Sequence, residues 1–198
     1  MPTTRLEAFS DGVIAIIITI MVLELHAPHG AALGDLRPLV SIFFGYVLSF
    51  VYIGIYWNNH HHMMHVTRAV TGSVLWANLH LLFWLSLIPF ATAWMAENRY
   101  EPVPVALYGG VLLMAAVAYL ILQMRILAQE GEDSLLRSAI GTDLKGKLSP
   151  LLYVAAILAA FVHPIIAGAI YVGVALIWLV PDRRIEAKLA EVEANRAR

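Results

Sequence analysis

The 198-residue chain contains no cysteine, and only 14% of its residues are charged. Without cysteine, neither a disulfide nor a catalytic thiol can contribute to its chemistry. An ordinary soluble domain is about 25% charged, so the deficit indicates a chain that lies largely out of water. The net charge of −1 also lacks the basic excess that is typical of nucleic-acid-binding proteins. We therefore expect no nucleic-acid partner.

Hydrophobic residues are abundant instead, making up 60% of the sequence and giving a mean hydropathy of +0.74. They gather in six long apolar stretches that polar residues or prolines separate. A membrane span needs about 20 mostly apolar residues, so six spans leave no room for a soluble catalytic domain. The composition therefore predicts an all-α integral membrane protein that is surrounded by lipid and is not an enzyme.

The polar residues and prolines between the apolar stretches set the predicted helix boundaries. We predict helices over residues 5–25, 38–59 with a continuation to 65, 72–95, 103–128, 148–162 and 165–180. Pro89 interrupts the third helix, and His163-Pro164 separates the last two. Because the last two helices are short for complete spans, a re-entrant pair is the competing interpretation. We assign residues 1–184 to one six-helix membrane domain and residues 185–198 to a cytoplasmic helical tail.

Positive charge is distributed unevenly among the connecting segments. If both ends of the chain are cytoplasmic, all but two of its 13 Lys and Arg residues lie inside, and only Arg37 and Arg99 lie outside. Since cytoplasmic loops favour Lys and Arg, we expect six spans with both termini inside. Glu7 and Asp11 acidify the start of the first stretch, where a signal peptide would be basic. We expect this stretch to remain as the first transmembrane helix.

The first helix carries a regular stripe along one side. Its members recur at alternating spacings of three and four residues: Phe9, Gly12, Ile16, Thr19 and Leu23, with Ile20 beside them. Copies of this stripe around an axis would form apolar rings that can close a pore and a hydroxyl ring that can replace part of an ion's hydration shell. From the spacing alone, a packing seam between helices is the more common origin of such a stripe.

The same helix also contains a long polar and apolar motif. It reads Arg5-x-x-x-Phe9-Ser10-Asp11, then Gly12-Val13-x-Ala15-Ile16-x-x-Thr19 and Leu23-Glu24-Leu25. Together with Trp57-x-Asn59-His60-His61 and Leu87-Ile88-Pro89-Phe90-x-Thr92, it resembles the family of the endosomal and lysosomal potassium channel (transmembrane protein 175) and its bacterial relatives. The animal members carry two six-helix repeats. This chain has one such repeat and so resembles a bacterial member. That resemblance implies a homotetramer around a central pore in the plasma membrane.

The resemblance implies a potassium-permeable channel and gives a role to each member of the stripe. It makes Ile16, Thr19, Ile20 and Leu23 the pore lining, with Ile16 as the hydrophobic constriction and Thr19 as the layer tied to potassium preference. This family lacks a carbonyl-lined filter, and no Thr-Val-Gly-Tyr-Gly segment occurs here. We therefore expect modest selectivity, with K⁺ as the permeating ion and no cofactor.

The resemblance also gives a structural role to the polar part of the motif. Arg5, Phe9, Ser10 and Asp11 match the residues that hold the first helix against its neighbours. The expected partners lie near the end of the second helix: Trp57, Asn59 and His60. Glu24 lies just inside the outer end of the first helix. It could concentrate cations at the pore mouth, or it could simply face the lipid headgroups.

A histidine and methionine tract follows the second helix and admits other functions. It comprises His60, His61, His62 and His65 with Met63 and Met64. His61 and His65 have the spacing of a transition-metal pair on a helix, but spacing alone is weak and we expect no metal site. Proton sensing by these imidazoles is more plausible. The alternative to a channel is a proton-coupled secondary transporter, although the inverted repeats typical of transporters are not evident.

Overall fold

The computed structural model describes residues 3–67, 69–130 and 144–179, and all regular structure in these ranges is helical. The helices are α1 (Thr3–Leu23), a short 3-10 helix (Leu33–Leu36), α2 (Leu39–Val66), α3 (Gly72–Ser86), α4 (Ile88–Glu97), α5 (Pro102–Glu130), α6 (Leu144–Ala160) and α7 (Pro164–Leu179). The all-α prediction is confirmed for these residues. The predicted tail over residues 185–198 and the domain boundary at residue 184 lie outside them.

Four segments are long and apolar enough to cross a membrane. They are Thr3–Leu23, Leu39–His65, Gly72–Glu97 and Pro102–Glu130. The third of these combines α3 and α4. Helices α6 and α7 have 17 and 16 residues, which agrees with the expectation that the last two helices are short. The count of six complete spans therefore stays a prediction.

The interruption predicted at Pro89 is present as a boundary between two helices. Helix α3 ends where the backbone N–H of Leu87 donates to the carbonyl of Trp84, at 3.2 Å. Helix α4 begins immediately afterwards, with Pro89 in its first turn. Proline is tolerated there because the first-turn N–H groups have no intrahelical acceptor. The proline thus starts a second helix segment on the same span.

Hydrogen bonds between the ends of neighbouring helices show which connections lie on the same side. At one end, the hydroxyl of Tyr100 donates to the carbonyl of Ser41 at 2.6 Å, which ties the connection before α5 to the start of α2. At the other end, the Gln129 amide donates to the Ala69 carbonyl at 2.8 Å and accepts from the Thr71 hydroxyl at 2.8 Å. Successive spans therefore alternate in direction, and the two arginines predicted to share one side lie at the same end.

Helices α2, α5, α6 and α7 form a peripheral bundle that tyrosines hold together. The Tyr52 hydroxyl donates to the Tyr171 carbonyl at 2.6 Å, and the Tyr171 hydroxyl donates to the Val105 carbonyl at 3.1 Å. Tyr108 packs edge-on against Tyr171, with ring centroids 5.5 Å apart. Gly109 makes this approach possible, because a Cβ there would collide with the Tyr171 hydroxyl. Each hydroxyl bonded in this way is satisfied within the apolar core.

Helix α1 contacts the peripheral bundle mainly through α2. It packs mainly against α2, α3 and α4. Its buried residues recur at spacings of three and four: Leu6, Ser10, Ile14, Ile17 and Met21. This is the core-facing side of the helix, and the described residues of the subunit leave the opposite side of α1 uncovered.

Candidate pore face of helix α1

The stripe predicted from the sequence lies on the uncovered side of α1. Four of its large side chains are well exposed: Phe9 at 51%, Ile16 at 58%, Ile20 at 44% and Leu23 at 70%. Gly12 and Thr19 are exposed beside them. At 3.6 residues per turn, the centre of this face lies roughly 140° around the helix from the core-facing side. The stripe is therefore not a packing seam within the subunit, and it is available to line a shared space.

Thr19 places a polar atom in the middle of this apolar face. Its hydroxyl donates to the carbonyl of Ile16, one turn earlier, at 2.9 Å. The proton is thus used inside the helix, as is common for threonine in apolar helices. The oxygen lone pairs stay available on the exposed side. A ring of such oxygens would be able to accept a partly dehydrated cation.

A buried chain of three polar side chains fixes the first half of α1. The Asn78 amide donates to the Ser10 hydroxyl at 2.9 Å, and that hydroxyl donates to the Leu6 carbonyl at 2.8 Å. The Asn78 carbonyl oxygen lies 2.8 Å from Nε2 of His60, which must carry the proton to complete the bond. All three side chains are fully buried or nearly so. The chain joins α1 to α3 and α2, and it sets the rotation of α1.

Two further contacts tie α1 to α2 beside this chain. The indole N–H of Trp57 donates to the Asp11 carboxylate at 3.0 Å. The Glu7 carboxylate lies 2.7 Å from Nδ1 of His61, on a more exposed side of the helix. Both acids of α1 therefore face protein groups, in agreement with the cost of leaving ionisable groups in lipid.

Some of the predicted motif residues make contacts between helices, and others do not. Ser10, Asp11, Trp57 and His60 are brought together, as described. Asn59 is not: its amide donates to the Ile55 carbonyl of its own helix at 2.8 Å. Asn59 lies on the side of α2 that faces α5. There its backbone carbonyl accepts a hydrogen bond from the Tyr119 hydroxyl at 3.5 Å.

Arg5 and Phe9, the other motif residues, are exposed on α1. Asn78, which forms the central link, is not among the residues that the sequence motifs predict. The sequence does contain an indication of its role: Asn78 is an amide inside an apolar span, and such a group needs a hydrogen-bond partner. The Glu7–His61 contact was not predicted either.

An open groove runs between α1 and α4 beside the exposed stripe. On the α1 side it is lined by Val13, Ile16, Ile17, Ile20 and Glu24, and on the other side by Ser86, Pro89, Phe90, Ala93, Trp94 and Glu97. It contains about 1160 Å³ of space, including its open side. Glu24 lies one residue beyond the end of α1 and is half-buried at one end of this groove.

The histidine tract at the end of α2 has a stacked geometry. The ring of His61 stacks on Trp57 and on His65, with centroids 6.3 Å and 6.2 Å away. Within residues 3–67, 69–130 and 144–179, no group of three or more His, Asp or Glu side chains is placed to hold a metal ion. In this part of the chain the tract makes ring and hydrogen-bond contacts, and His61 reaches α1 through Glu7.

Comparison with known proteins places this geometry among channels. The sequence profile described as "Endosomal/lysosomal potassium channel TMEM175" matches residues 5–89. A protein named potassium channel, from Chryseobacterium sp., is 53% identical over 191 residues, which cover 96% of this chain and all of that one. A potassium channel from Streptomyces collinus is 35% identical over 123 residues, 58% of this chain and 60% of that one.

A solved structure is similar over most of its length. It is the crystal structure of a lysosomal potassium-selective channel TMEM175 homolog from Chamaesiphon minutus. The TM-score is 0.73 at 26% sequence identity, and the match covers 90% of this chain and 96% of that one. The likeness therefore includes α5 to α7 as well as the three spans that carry the motifs.

Proposed function

The chain belongs to the TMEM175 family of channels, and we propose that it is a potassium-permeable channel whose pore is lined by α1 of four copies. The observation that carries the proposal is the uncovered stripe of α1, which has no partner within the described part of its own subunit. One copy supplies only one wall, so a pore on this face needs several copies. The potassium-channel names of its relatives support K⁺ as the permeating ion.

In the proposed pore, each stripe residue contributes one ring. A helix rises 1.5 Å per residue, so the rings of Ile16, Thr19 and Leu23 would be spaced by about 4.5 to 6 Å along the axis. The Ile16 ring is the hydrophobic constriction, and it stops ions by excluding water when it is narrow. The Thr19 ring offers oxygens to an ion that has lost part of its hydration shell. Ile20 flanks both layers.

The lack of a carbonyl cage limits how strictly the proposed pore selects ions. Side-chain hydroxyls fix the number of ligands around an ion less rigidly than four backbone loops do. We therefore propose a modest preference for K⁺ over Na⁺ that depends on Thr19. Glu24 lies off the stripe at one end of the groove, where it would raise the local cation concentration without coordinating an ion in the narrow part.

We place the channel in the plasma membrane of a bacterium with both ends of the chain in the cytoplasm. This orientation puts the end that carries Arg37 and Arg99 outside, as the distribution of positive charge favours. The stripe then runs outward from Phe9 to Leu23. The polar chain through Ser10 lies near the cytoplasmic side.

Single-channel recording from the purified protein in liposomes tests the proposal. We expect unitary currents in a potassium gradient, because a passive pore conducts far faster than a transporter turns over. Ile16→Asn should raise the resting current at least tenfold, since a polar ring would hydrate the constriction. Ile165→Asn is the matched control, because Ile165 is also an exposed isoleucine, at 74% against 58% for Ile16, but lies on α7, away from the stripe.

Two results would contradict the proposal. Proton-coupled flux without resolvable openings would identify a secondary transporter instead. Equal resting currents in the Ile16→Asn, Ile165→Asn and unmodified proteins would remove Ile16 from the constriction.

A further inference from the structure

We propose that a cavity inside the peripheral bundle binds one anionic phospholipid, with an acyl chain in the cavity and the phosphate beside Lys145 and Lys147. Residues of α2, α5, α6 and α7 form its wall, and aromatic rings make up much of it, among them Tyr56, Tyr119 and Trp178. The cavity contains about 420 Å³ of space, including its open side. No residue of α1 lines it, so this inference does not depend on the proposed pore.

The cavity is elongated and runs along the helices. Its wall extends from Tyr52 to Asn59 on α2 and from Gly146 to Tyr153 on α6, and seven residues of helix correspond to about 10 Å. Tyr52 and Tyr153 close one end, where their buried rings lie 6.3 Å apart. Asn59 and Trp178 are only half-buried, so the cavity opens at the other end. Because the helices cross the bilayer, its long axis is parallel to the acyl chains of the surrounding lipid.

Four polar side chains in the wall form hydrogen bonds within the protein. The Trp178 indole N–H donates to the Ser149 hydroxyl at 2.8 Å, and that hydroxyl donates to the Lys145 carbonyl at 2.8 Å. The Tyr52 hydroxyl and the Asn59 amide also donate to backbone carbonyls. The surface that faces the cavity is therefore almost entirely apolar. Water inside it would find few polar partners, whereas a hydrocarbon chain would contact the aromatic rings, so the wall favours a hydrocarbon chain.

Positive charge flanks the open end of the cavity. Gly146 belongs to the wall, and Lys145 and Lys147 precede and follow it, the first half-buried and the second exposed. Trp178 lies one residue before the end of α7, a position typical of tryptophan at the level of the lipid headgroups. Basic pockets between transmembrane helices at this level bind anionic headgroups. An anionic phospholipid meets both requirements, because its chain fills the apolar cavity while its phosphate reaches the lysines.

Native mass spectrometry of the full-length protein, purified in detergent and stripped of lipid, tests the charged end of the site. We expect phosphatidylglycerol to bind about tenfold more tightly than phosphatidylcholine with the same acyl chains, since the choline group offsets the phosphate charge. Lys145→Gln combined with Lys147→Gln should weaken phosphatidylglycerol binding by about tenfold to thirtyfold and leave phosphatidylcholine binding unchanged. Arg125→Gln is the matched control, because Arg125 is an exposed cation on α5 that does not line the cavity.

A second variant tests the place of the acyl chain. Ala116→Leu extends a side chain of the cavity wall and should weaken the binding of both lipids about tenfold, the factor expected when about two methylene groups are displaced. Ala106→Leu is its control, since Ala106 lies on the same helix outside the wall. Glycerol phosphate carries the phosphate without the chains and should not displace the bound lipid.

Each part of the inference has an outcome that overturns it. Equal affinities for the two lipids, or phosphatidylglycerol binding that the lysine variant does not change, would overturn the headgroup site. Displacement by glycerol phosphate, or equal lipid binding in the two leucine variants, would overturn the cavity as the place of the chain. If Ala116→Leu does not fold, the lysine variant and the displacement by glycerol phosphate still decide between these results. None of these measurements involves a current, so their failure leaves the proposed channel as it stands.

Discussion

The peripheral bundle and helix α1 are stabilised in different ways. In the bundle of α2, α5, α6 and α7, tyrosine hydroxyls bond to backbone carbonyls and Gly109 lets α5 approach the Tyr171 ring. Helix α1 is attached to α2 and α3 by pairs of polar side chains near its start, and its outward face stays open. The side chains of the bundle are thus buried within the subunit, whereas one side of α1 stays exposed. Substitutions in the bundle should affect folding, and substitutions on the open face should affect conduction.

The largest effect is expected at Gly109. A Cβ there would collide with the Tyr171 hydroxyl and would come within 2.9 Å of Ile157 Cγ1. Overpacking of a tight core costs typically 1–3 kcal/mol, so Gly109→Ala should destabilise the protein by about 3 kcal/mol. The measurement is the free energy of unfolding in mixed micelles of dodecyl sulfate and a mild detergent. The variant that still folds should keep its single-channel conductance.

The adjacent residue supplies the control for Gly109. A Cβ on Gly110 would meet no atom within 4 Å. Gly110→Ala should therefore be neutral or should stabilise α5 by up to about 1 kcal/mol, because alanine is the better helix former. Equal losses in the two variants would mean that the Tyr171 contact does not hold the bundle together.

Asn78 is expected to have the next largest effect, on both stability and current. Asn78→Ala removes the acceptor of His60 Nε2, and buried Nδ1 of that ring has no hydrogen-bond partner among the residues that the structure describes. A buried group left unpaired costs about 1–3 kcal/mol, so we expect a loss of about 2 kcal/mol in the same unfolding measurement. The resting current should also change, because Asn78 positions α1 through Ser10.

Asn58→Ala serves as the comparison for Asn78, since Asn58 is an exposed amide on α2. It should change neither property. A loss of stability in Asn78→Ala with an unaltered current would break the link between the polar chain and the rotation of α1. The chain would then be a fold-stabilising feature alone.

Much of the contrast between the open face of α1 and the buried bundle is predictable from the sequence. The exposed stripe follows from spacings of three and four, because helical geometry places such residues on one side. The interruption of the third span follows from Pro89, since proline ends or starts a helix. Helix boundaries were displaced by one to a few residues, as at α1, which begins at Thr3 and ends at Leu23. Fraying and capping at helix ends depend on neighbours that the local sequence does not specify.

The partners of the polar side chains were less predictable. Asn59 and Asn78 both lie in apolar spans, and composition alone does not distinguish which of them reaches α1. The choice depends on the rotation of α2 and α3 about their axes, which tertiary packing sets. Asn59 faces α5 and Asn78 faces α1. The identity of the central link therefore required the three-dimensional arrangement.

The smallest expected effect is the most informative about the open face. Thr19→Val replaces the hydroxyl by a methyl group of similar size and removes the outward oxygen lone pairs, together with the bond to the Ile16 carbonyl. Because Thr19 is exposed, stability should change little. The permeability ratio of K⁺ to Na⁺ should fall about twofold to threefold, equivalent to ~0.5 kcal/mol. Reversal potentials in mixed-ion gradients measure this ratio. Thr19→Ser keeps the hydroxyl and should keep the ratio, whereas an equal ratio in the valine, serine and unmodified proteins would place potassium preference elsewhere than in the threonine ring.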